Sequence, residues 1–329
     1  MKIRNIWEDT KCNVIALDAV LNYHLQNINS PNDAINRLNE MKLQNVLVYK
    51  DFKFNDITTK LTLIGVNDKD ADYELYKYPW DQYICPGTIA LDIGTAYGDT
   101  TLPMALVNGK NGYVLGFDLE PGRYLVLEWL LKLHPTLNII PYNFGVKADG
   151  KPEWVGFNRN TARIVPIFDW FQHKFKSYVD KVSFIKIDID GDDINIVRSY
   201  KKLSLASRPL ILIEWFLNDR VDEPCSKPKS LDIWNVASEI KYHVYDYTMR
   251  YKFESCNAAI NIFREQIKLG KASSFTECGK KRNDFDICDV ILVPIEMSTN
   301  NSSPSLNRMQ YCPQQLQNME IELLRSKFI

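Results

Sequence analysis

The 329-residue chain lacks an excess of charge of either sign, because 40 Lys and Arg residues nearly balance 41 Asp and Glu residues. A protein that binds nucleic acid through its phosphates usually carries a basic surface, so a basic footprint over the whole chain is excluded, although a local patch is not. The chain also lacks an apolar run of the ~20 residues that a membrane helix needs. Its amino terminus shows no signal-peptide pattern. We therefore expect a cytoplasmic protein without a membrane span.

Cysteine and histidine patterns typical of disulfide-rich or zinc proteins are missing as well. The seven cysteines are an odd number, lie scattered along the chain and form no CxxC pair. The four histidines show no metal-ligand spacing. These patterns favour reduced thiols over disulfides and argue against a zinc site.

What the chain does contain divides into three predicted regions. Residues 1–85 form an accessory region with two helical patterns, Val14–Gln26 and Pro31–Met41, and two strand-like runs, 45–49 and 60–64. Residues 86–295 alternate strand and helix patterns. Residues 296–329 begin with a polar linker and end in a candidate short helix at 314–327.

The middle region is predicted to be α/β with a doubly wound, mostly parallel sheet. Continuous apolar strands such as Leu210–Ile213 are typical of strands buried on both faces. The predicted strands are Thr88–Asp92, Gly112–Asp118, Asn138–Tyr142, Val182–Asp188, Leu210–Glu214, Tyr242–Tyr247 and Asp289–Pro294. The predicted helices are Thr100–Val107, Pro121–His134, Asp192–Lys202 and Ser230–Ile240. Such sheets bind ligands beyond the carboxyl ends of their strands.

The first predicted strand ends in an acid followed by two glycines four residues apart. Asp92, Gly94 and Gly98 lie in the stretch ALDIGTAYGDTT. Gly94 allows a tight turn and a close approach of a ligand to the backbone. Asp99 stands where a dinucleotide-binding loop would receive a pyrophosphate, which argues against NAD and against a P-loop. The pattern suits a ligand with an amino-acid end and no phosphate, such as S-adenosylmethionine.

The second predicted strand ends in Asp118, 26 residues after Asp92. A carboxylate at this position of a βαβ unit can accept hydrogen bonds from both hydroxyls of a ribose. The alternative interpretation of Asp118 is an acid that caps the helix beginning at Pro121. Asn143, after the third strand, is a candidate adenine contact or an ordinary loop residue.

Four segments together resemble the FkbM-type S-adenosylmethionine-dependent methyltransferases over about residues 80–295. These segments are ALDIGTAYGDTTLPMAL, GYVLGFDLEPGRY, FIKIDIDGDD and RPLILIEW. Departures from the usual motifs are Thr95 in place of alanine, Asp118 with Leu119 in place of Glu-Pro, and Asp190 in place of glutamate. The resemblance implies a seven-stranded class I methyltransferase sheet (Rossmann-like) with its last strand antiparallel, and O-methylation of sugars or other small molecules.

The cofactor site expected on these grounds lies around the first two strand ends. The residues expected to bind S-adenosylmethionine are Asp92, Ile93, Gly94, Thr95, Gly98, Asp99, Thr100, Thr101, Asp118, Leu119 and Asn143.

Charged residues near the ends of the fourth and fifth strands are the candidate catalytic groups. Lys186, Asp188 and Asp190 alternate along the fourth strand, and Glu214 ends the fifth. Period-two spacing places Lys186 and Asp188 on one face. One carboxylate is expected to act as a general base. Alternatively, Asp188, Asp190 and Glu214 hold a divalent cation that acidifies the acceptor hydroxyl.

Two other functions remain open at the level of sequence. Lys186, Asp188 and Glu214 resemble part of the Lys-Asp-Lys-Glu set of RNA 2′-O-ribose methyltransferases, but no second lysine can be placed. A catalytically silent module that binds S-adenosylmethionine and assembles partners is the other alternative. Trp215 and Phe216 are interpreted either as stacking surfaces or as core, and the loop 218–230 as an acceptor-binding lid.

Overall fold

The structure is a computed structural model of the 329-residue chain. It describes residues 47–54, 57–64, 75, 78–157, 160–189, 192–202, 207–216, 228–268, 287–297, 311–313 and 315–316. The predicted amino-terminal helices, most of the loop 218–230, the polar linker, Asp190 and nearly all of the predicted carboxyl-terminal helix lie outside the described residues. Within them, no helix is long and apolar enough to cross a membrane.

Two antiparallel strands, β1 (Leu47–Phe54) and β2 (Ile57–Ile64), form a hairpin in the predicted accessory region. β2 contains the strand-like run expected at 60–64, and β1 contains residues 47–49 of the run expected at 45–49, whose first two residues lie outside the described ones. Phe52 and Leu61 are buried, and β2 lies against a helix of the middle region that begins at Pro121. The hairpin therefore covers a helix that flanks the central sheet.

A central sheet of seven strands follows. Its strands are β3 (Ile89–Ile93), β4 (Tyr113–Asp118), β5 (Ile139–Asn143), β9 (Val182–Ile187), β10 (Leu210–Phe216), β11 (Tyr242–Asp246) and β12 (Ile287–Pro294). Their order is β11-β12-β10-β9-β3-β4-β5. The pairs β3–β4, β4–β5 and β9–β10 are parallel, whereas β12 is antiparallel to both of its neighbours. This order, with the last strand antiparallel, is that of the class I methyltransferase fold, so the predicted fold class is confirmed.

Burial on both faces explains the apolar runs that predicted these strands. Every residue of β3, β4 and β9 is buried. In β10, Leu210 to Ile213 are at most 1% exposed. The observed strand limits differ from the predicted ones by one or two residues.

The chain divides into two compact units, the first containing β1–β5 and the second containing β9–β12. The helices of the first unit are α1 (Trp80–Tyr83), α2 (Thr101–Asn108) and α3 (Pro121–Leu133). Those of the second are α4 (Ile167–Lys174), α5 (Asp193–Ser199), α6 (Pro228–Ile240) and α7 (Cys256–Lys268). Proline at the first position of α3, where no N–H is needed, starts that helix as predicted.

A small three-stranded sheet between β5 and α4 was not predicted. Its strands are β6 (Gly145–Lys147), β7 (Glu153–Phe157) and β8 (Asn160–Pro166), in the order β6-β8-β7, and β7 and β8 pair antiparallel. Exposed residues such as Lys151 and Trp154 interrupt the apolar pattern here. Helices α4 and α7 were not predicted either.

The expectation of reduced thiols is wrong for three cysteines. Cys85, Cys256 and Cys312 are each disulfide-bonded. Disulfides form between residues whose Cα atoms lie about 4.4–6.8 Å apart in the fold. Spacing along the sequence does not report that distance, and an odd total requires only that one cysteine remains unpaired.

Candidate functional site

Asp92, next to the last residue of β3, is hydrogen-bonded to the start of the following helix. Asp92 is fully buried, and its Oδ2 accepts hydrogen bonds from the hydroxyls of Thr100 (3.0 Å) and Thr101 (2.6 Å). Because these threonines lie at the start of α2, the bonds fix the helix start relative to the strand. The structure thus gives Asp92, Thr100 and Thr101 a structural task. Direct contact with a cofactor stays a prediction for them.

The two glycines of the loop have the backbone conformation that the sequence suggested. Gly94 and Gly98 have φ of 90° and 87°, in the left-handed region. A Cβ on Gly98 would lie 2.9 Å from Cδ1 of Leu127, so this position is restricted by packing as well as by conformation. Between them, Ala96 has φ of 45°, which costs strain in a residue with a side chain.

Asp118, at the end of β4, is hydrogen-bonded directly to this loop. Its Oδ2 accepts a hydrogen bond from the backbone N–H of Ala96 (2.9 Å), and its Oδ1 accepts one from the N–H of Glu120 (2.8 Å). Burial raises the pKa of the carboxyl to about 6, while the two N–H groups and the positive charge of Arg123 oppose the rise. Asp118 is 7% exposed. It is therefore a buried carboxylate with an unusually basic character.

Two further predicted residues lie next to Asp118. Asn143 is its partner in the β4–β5 register, and its Nδ2 donates to the backbone oxygen of Asp118 at 3.2 Å. Leu119 follows it and packs against Gly145. The structure therefore brings the Asp118, Leu119 and Asn143 group together at one strand end.

The other predicted cofactor residues line the loop with different exposure. Ile93 and Thr95 are buried, whereas Gly94 and Asp99 are half-buried. The N–H groups of Gly94 and Thr95 donate to the backbone oxygen of Phe117 at 2.9 and 3.2 Å. These bonds hold the loop against the end of β4.

Gly116, in β4, lies against the glycine loop and was not among the residues predicted from the sequence. A Cβ there would lie 2.8 Å from Cγ2 of Thr95, so glycine allows the loop to approach the strand. A glycine inside an apolar strand commonly marks such an approach, and the run YVLGFD contains that glycine.

Phe117 also stacks on its register partner Tyr142, with ring centroids 5.2 Å apart.

In the second unit, the candidate catalytic lysine and aspartate form an ion pair. Nζ of Lys186 lies 2.9 Å from Oδ2 of Asp188. The lysine side chain is 4% exposed and the aspartate side chain is 37% exposed. The period-two prediction that both residues lie on one face of the strand agrees with this contact. The buried ammonium group holds Asp188 at the strand end, where it can still reach a ligand.

Glu214 belongs to the neighbouring strand and has a further acid beside it. Leu212 pairs with Lys186 and Ile213 with Ile187, so Glu214 follows in line with Asp188. On its other side, Glu214 is the register partner of Asp289 in β12. Asp289 was not predicted as a site residue, because the antiparallel register that places it opposite Glu214 cannot be read from the sequence.

The metal alternative is not supported by the described residues, which contain no group of three potential ligands placed to hold an ion. Asp190, one of the three proposed ligands, lies outside them. Close to Asp190 in the sequence, Oδ1 of Asp193 accepts a hydrogen bond from the N–H of Ile189 at 2.9 Å.

Trp215 lies in the core and is not a stacking surface. It is fully buried and makes an edge-to-face contact with Trp234, with ring centroids 5.3 Å apart. Because side chains alternate along a strand, Glu214 points to the other face of the sheet. Packing in the core accounts for the burial of Trp215. The side chain of Phe216 lies outside the described residues.

No family model and no curated protein matches the chain, but solved structures do. Methyltransferase FkbM from Methylobacillus flagellatus KT is 15% identical to this chain, with a TM-score of 0.36. The match covers 53% of this chain and 46% of the FkbM chain, so this chain spans about half of the FkbM chain. Aeropyrum pernix fibrillarin with natively bound S-adenosyl-L-methionine is 14% identical, with a TM-score of 0.41 over 76% of this chain and 84% of that one. TYW2 of P. horikoshii, in complex with MeSAdo, is 12% identical, with a TM-score of 0.38 over 80% and 81%.

These identities and TM-scores are low, so the assignment of the fold depends on the order and direction of the strands themselves. Seven strands in the order given above, with β12 antiparallel to its neighbours, define the architecture. The chain has the class I methyltransferase fold.

Proposed function

We propose that the protein is an S-adenosylmethionine-dependent O-methyltransferase of the FkbM type. The transferred methyl group goes to a hydroxyl of a carbohydrate or another small molecule. The observation that carries the proposal is the position of Asp118, a buried carboxylate at the end of β4 that is bonded to the glycine loop after β3.

The residues around Asp118 fit the ribose and the adenine of this cofactor. Each carboxylate oxygen accepts one backbone N–H, and an ionised carboxylate has about four lone-pair sites, so capacity remains for ribose hydroxyls. Asn143 lies beside it with an exposed side chain that can reach a ring nitrogen. Asp99 disfavours a phosphate at the start of α2, which is consistent with a cofactor that has none.

When bound, S-adenosylmethionine supplies an electrophilic methyl group on a sulfonium that leaves readily. Lys186 and Asp188, at the end of β9, are the residues that we propose to align an acceptor hydroxyl and remove its proton. Asp188 is the proposed general base, because its carboxylate is partly exposed and held by Lys186. In the methyl transfer that the bound cofactor would supply, Asp188 would accept the proton that the acceptor hydroxyl gives up.

The acidic character of this strand end supports a hydroxyl-rich acceptor. Asp188, Glu214 and Asp289 lie on three neighbouring strands, with Lys186 beside the first. Carboxylates accept hydrogen bonds from hydroxyl groups, as in a sugar, and repel the phosphates of RNA. With a net charge of −1, the chain as a whole has no excess of basic residues.

Transfer of labelled methyl groups from S-adenosylmethionine to separate glycan, small-molecule and RNA pools tests this proposal. We expect label in a glycan or small-molecule pool, and a loss of about 100-fold or more in rate for Asp188→Asn. Asp180→Asn, at an exposed acid of the same unit, serves as the control.

Each other outcome of this assay has a distinct meaning. Label only in RNA favours ribose 2′-O-methylation, and binding without turnover on any pool favours the silent module. Loss of turnover in a chelator with unchanged cofactor binding supports the cation alternative with Asp188, Asp190 and Glu214.

The disulfide-bonded cysteines bear on the compartment. Disulfides persist in oxidising compartments and are rare in the cytosol. We therefore propose an oxidising location in place of the cytoplasmic one expected from sequence. Alkylation of the unreduced native protein, followed by mass spectrometry, should leave Cys85, Cys256 and Cys312 unlabelled; free thiols at these positions would restore the cytoplasmic assignment.

A further inference from the structure

Arg123, in the first turn of α3, contacts segments on both sides of Asp118. Its Nε lies 3.0 Å from Oε2 of Glu120, the residue that precedes the helix. Its Cζ lies 5.8 Å from the ring centroid of Tyr97, in the glycine loop. The guanidinium group therefore bridges the loop after β3 and the start of α3.

Asp118 is bonded to the same two segments. One carboxylate oxygen accepts the N–H of Ala96, which precedes Tyr97, and the other accepts the N–H of Glu120. Ala96 is held in the left-handed region at φ of 45°, a conformation that needs support from its surroundings. The Arg123 bridge supplies such support next to the bond that Asp118 makes.

We propose that Arg123 is a positioning residue for the cofactor, which holds the Asp118 carboxylate and the glycine loop in the geometry that receives the ribose. This inference rests on the proposed function, since it assigns Arg123 a role in the same cofactor site. Arg123 was not among the residues predicted from the sequence, because its contact with Tyr97 depends on how α3 packs.

The electrostatics of the site lead to a measurable consequence. Among the described residues, the charged groups that act on Asp118 are Arg123, which lowers its pKa, and Glu120, which raises it. Ala96 on the loop side and Asn143 from β5 present neutral groups. Burial already raises the pKa of Asp118 to about 6, so loss of Arg123 raises it further and leaves less carboxylate ionised near neutral pH.

The test is calorimetric titration of the full chain with S-adenosylhomocysteine between pH 5.5 and pH 8. Wild-type affinity should weaken as the pH falls through about 6, because an ionised carboxylate is the better acceptor for ribose hydroxyls. For Arg123→Ala we expect the midpoint to move up by about one pH unit and the affinity at pH 7 to fall several-fold.

Three other variants separate the proposed role from general destabilisation. Arg123→Lys keeps the charge and should restore the wild-type midpoint. Arg123→Met keeps the aliphatic stem without the charge. It should show the same shift of the midpoint and the same loss of affinity that we expect for Arg123→Ala, and it replaces that variant if the alanine variant does not fold. Arg163→Ala removes an exposed positive charge of the same unit and should change nothing.

Two contrary results have different meanings. If the wild-type protein binds and folded Arg123→Ala has the wild-type midpoint and affinity, the role of Arg123 is contradicted while the proposed function stands. If the wild-type protein binds at no pH, the cofactor assignment fails and this inference fails with it.

Discussion

The buried ammonium group of Lys186 lies 2.9 Å from the carboxylate of Asp188, the residue that directly follows the end of the same strand. A second lysine–carboxylate pair, Lys201 with Glu239, lies at the surface at 2.6 Å, with both side chains more than 40% exposed. The two pairs have the same chemistry in different surroundings, so they form a matched comparison.

Lys186→Met should lower kcat by about 100-fold and leave cofactor affinity within about twofold, because Asp188 loses the group that orients it. Lys201→Met should change neither quantity, since exposed ion pairs contribute little. Steady-state kinetics and cofactor titration of both variants measure this. Equal kcat values for the two variants would show that the Lys186–Asp188 pair has no part in catalysis.

Gly98→Ala should destabilise the protein more than Gly109→Ala. Both glycines have φ in the left-handed region, at 87° and 74°. Only at Gly98 does a new Cβ meet a neighbour, Cδ1 of Leu127 at 2.9 Å, whereas nothing lies within 4 Å at Gly109. We expect a loss of about 1 kcal/mol for Gly109→Ala and about 2–4 kcal/mol for Gly98→Ala in the free energy of unfolding. Denaturant titration measures both, and equal losses would contradict the packing argument.

Thr101→Val removes a donor to the buried Asp92 with almost no change of shape. The hydroxyl of Thr101 donates to Oδ2 of Asp92 at 2.6 Å, and the carboxylate is fully buried. We expect the free energy of unfolding to fall by about 1–3 kcal/mol. Thr136→Val, at an exposed position, is the control. If thermal and denaturant unfolding do not separate the two variants, Asp92 does not hold the start of α2.

Stability should depend on pH through Asp118. Its pKa is raised by burial to about 6 in the folded protein, above the unfolded value, so the folded state binds the proton more tightly. The resulting stabilisation is complete below about pH 4 and is lost as the pH rises through about 6. Relative to Asp118→Asn, wild-type protein should lose at most about 3 kcal/mol of unfolding free energy between pH 4 and pH 7. A difference between the two proteins that does not change with pH would refute the raised pKa.

The sheet could be predicted from sequence because burial on both faces leaves continuous apolar runs. Strands β3 and β10 are examples, and both start within a residue of their predicted limits. The small sheet of β6–β8 could not, because exposed residues such as Trp154 break the alternation that marks a half-buried strand. Hydrophobic patterning reports burial, and this sheet is only partly buried.

The candidate site was predictable where neighbours in sequence are neighbours in space. Asp118 ends a strand, Leu119 follows it directly, and Lys186 reaches Asp188 two residues away. Asp289 and Arg123 were missed for the opposite reason. The contact of Asp289 with Glu214 depends on an antiparallel register, and that of Arg123 with Tyr97 depends on helix packing, which no local pattern encodes.

Titration of the purified protein with S-adenosylmethionine and S-adenosylhomocysteine tests the central proposal most directly. We expect binding by wild-type protein, weakened about tenfold or more by Asp118→Ala because hydrogen bonds to a charged group are lost, and unchanged by Asp149→Ala. Failure of the wild-type protein to bind either compound, or binding that Asp118→Ala leaves unchanged, would contradict the assignment of this strand end as the cofactor site.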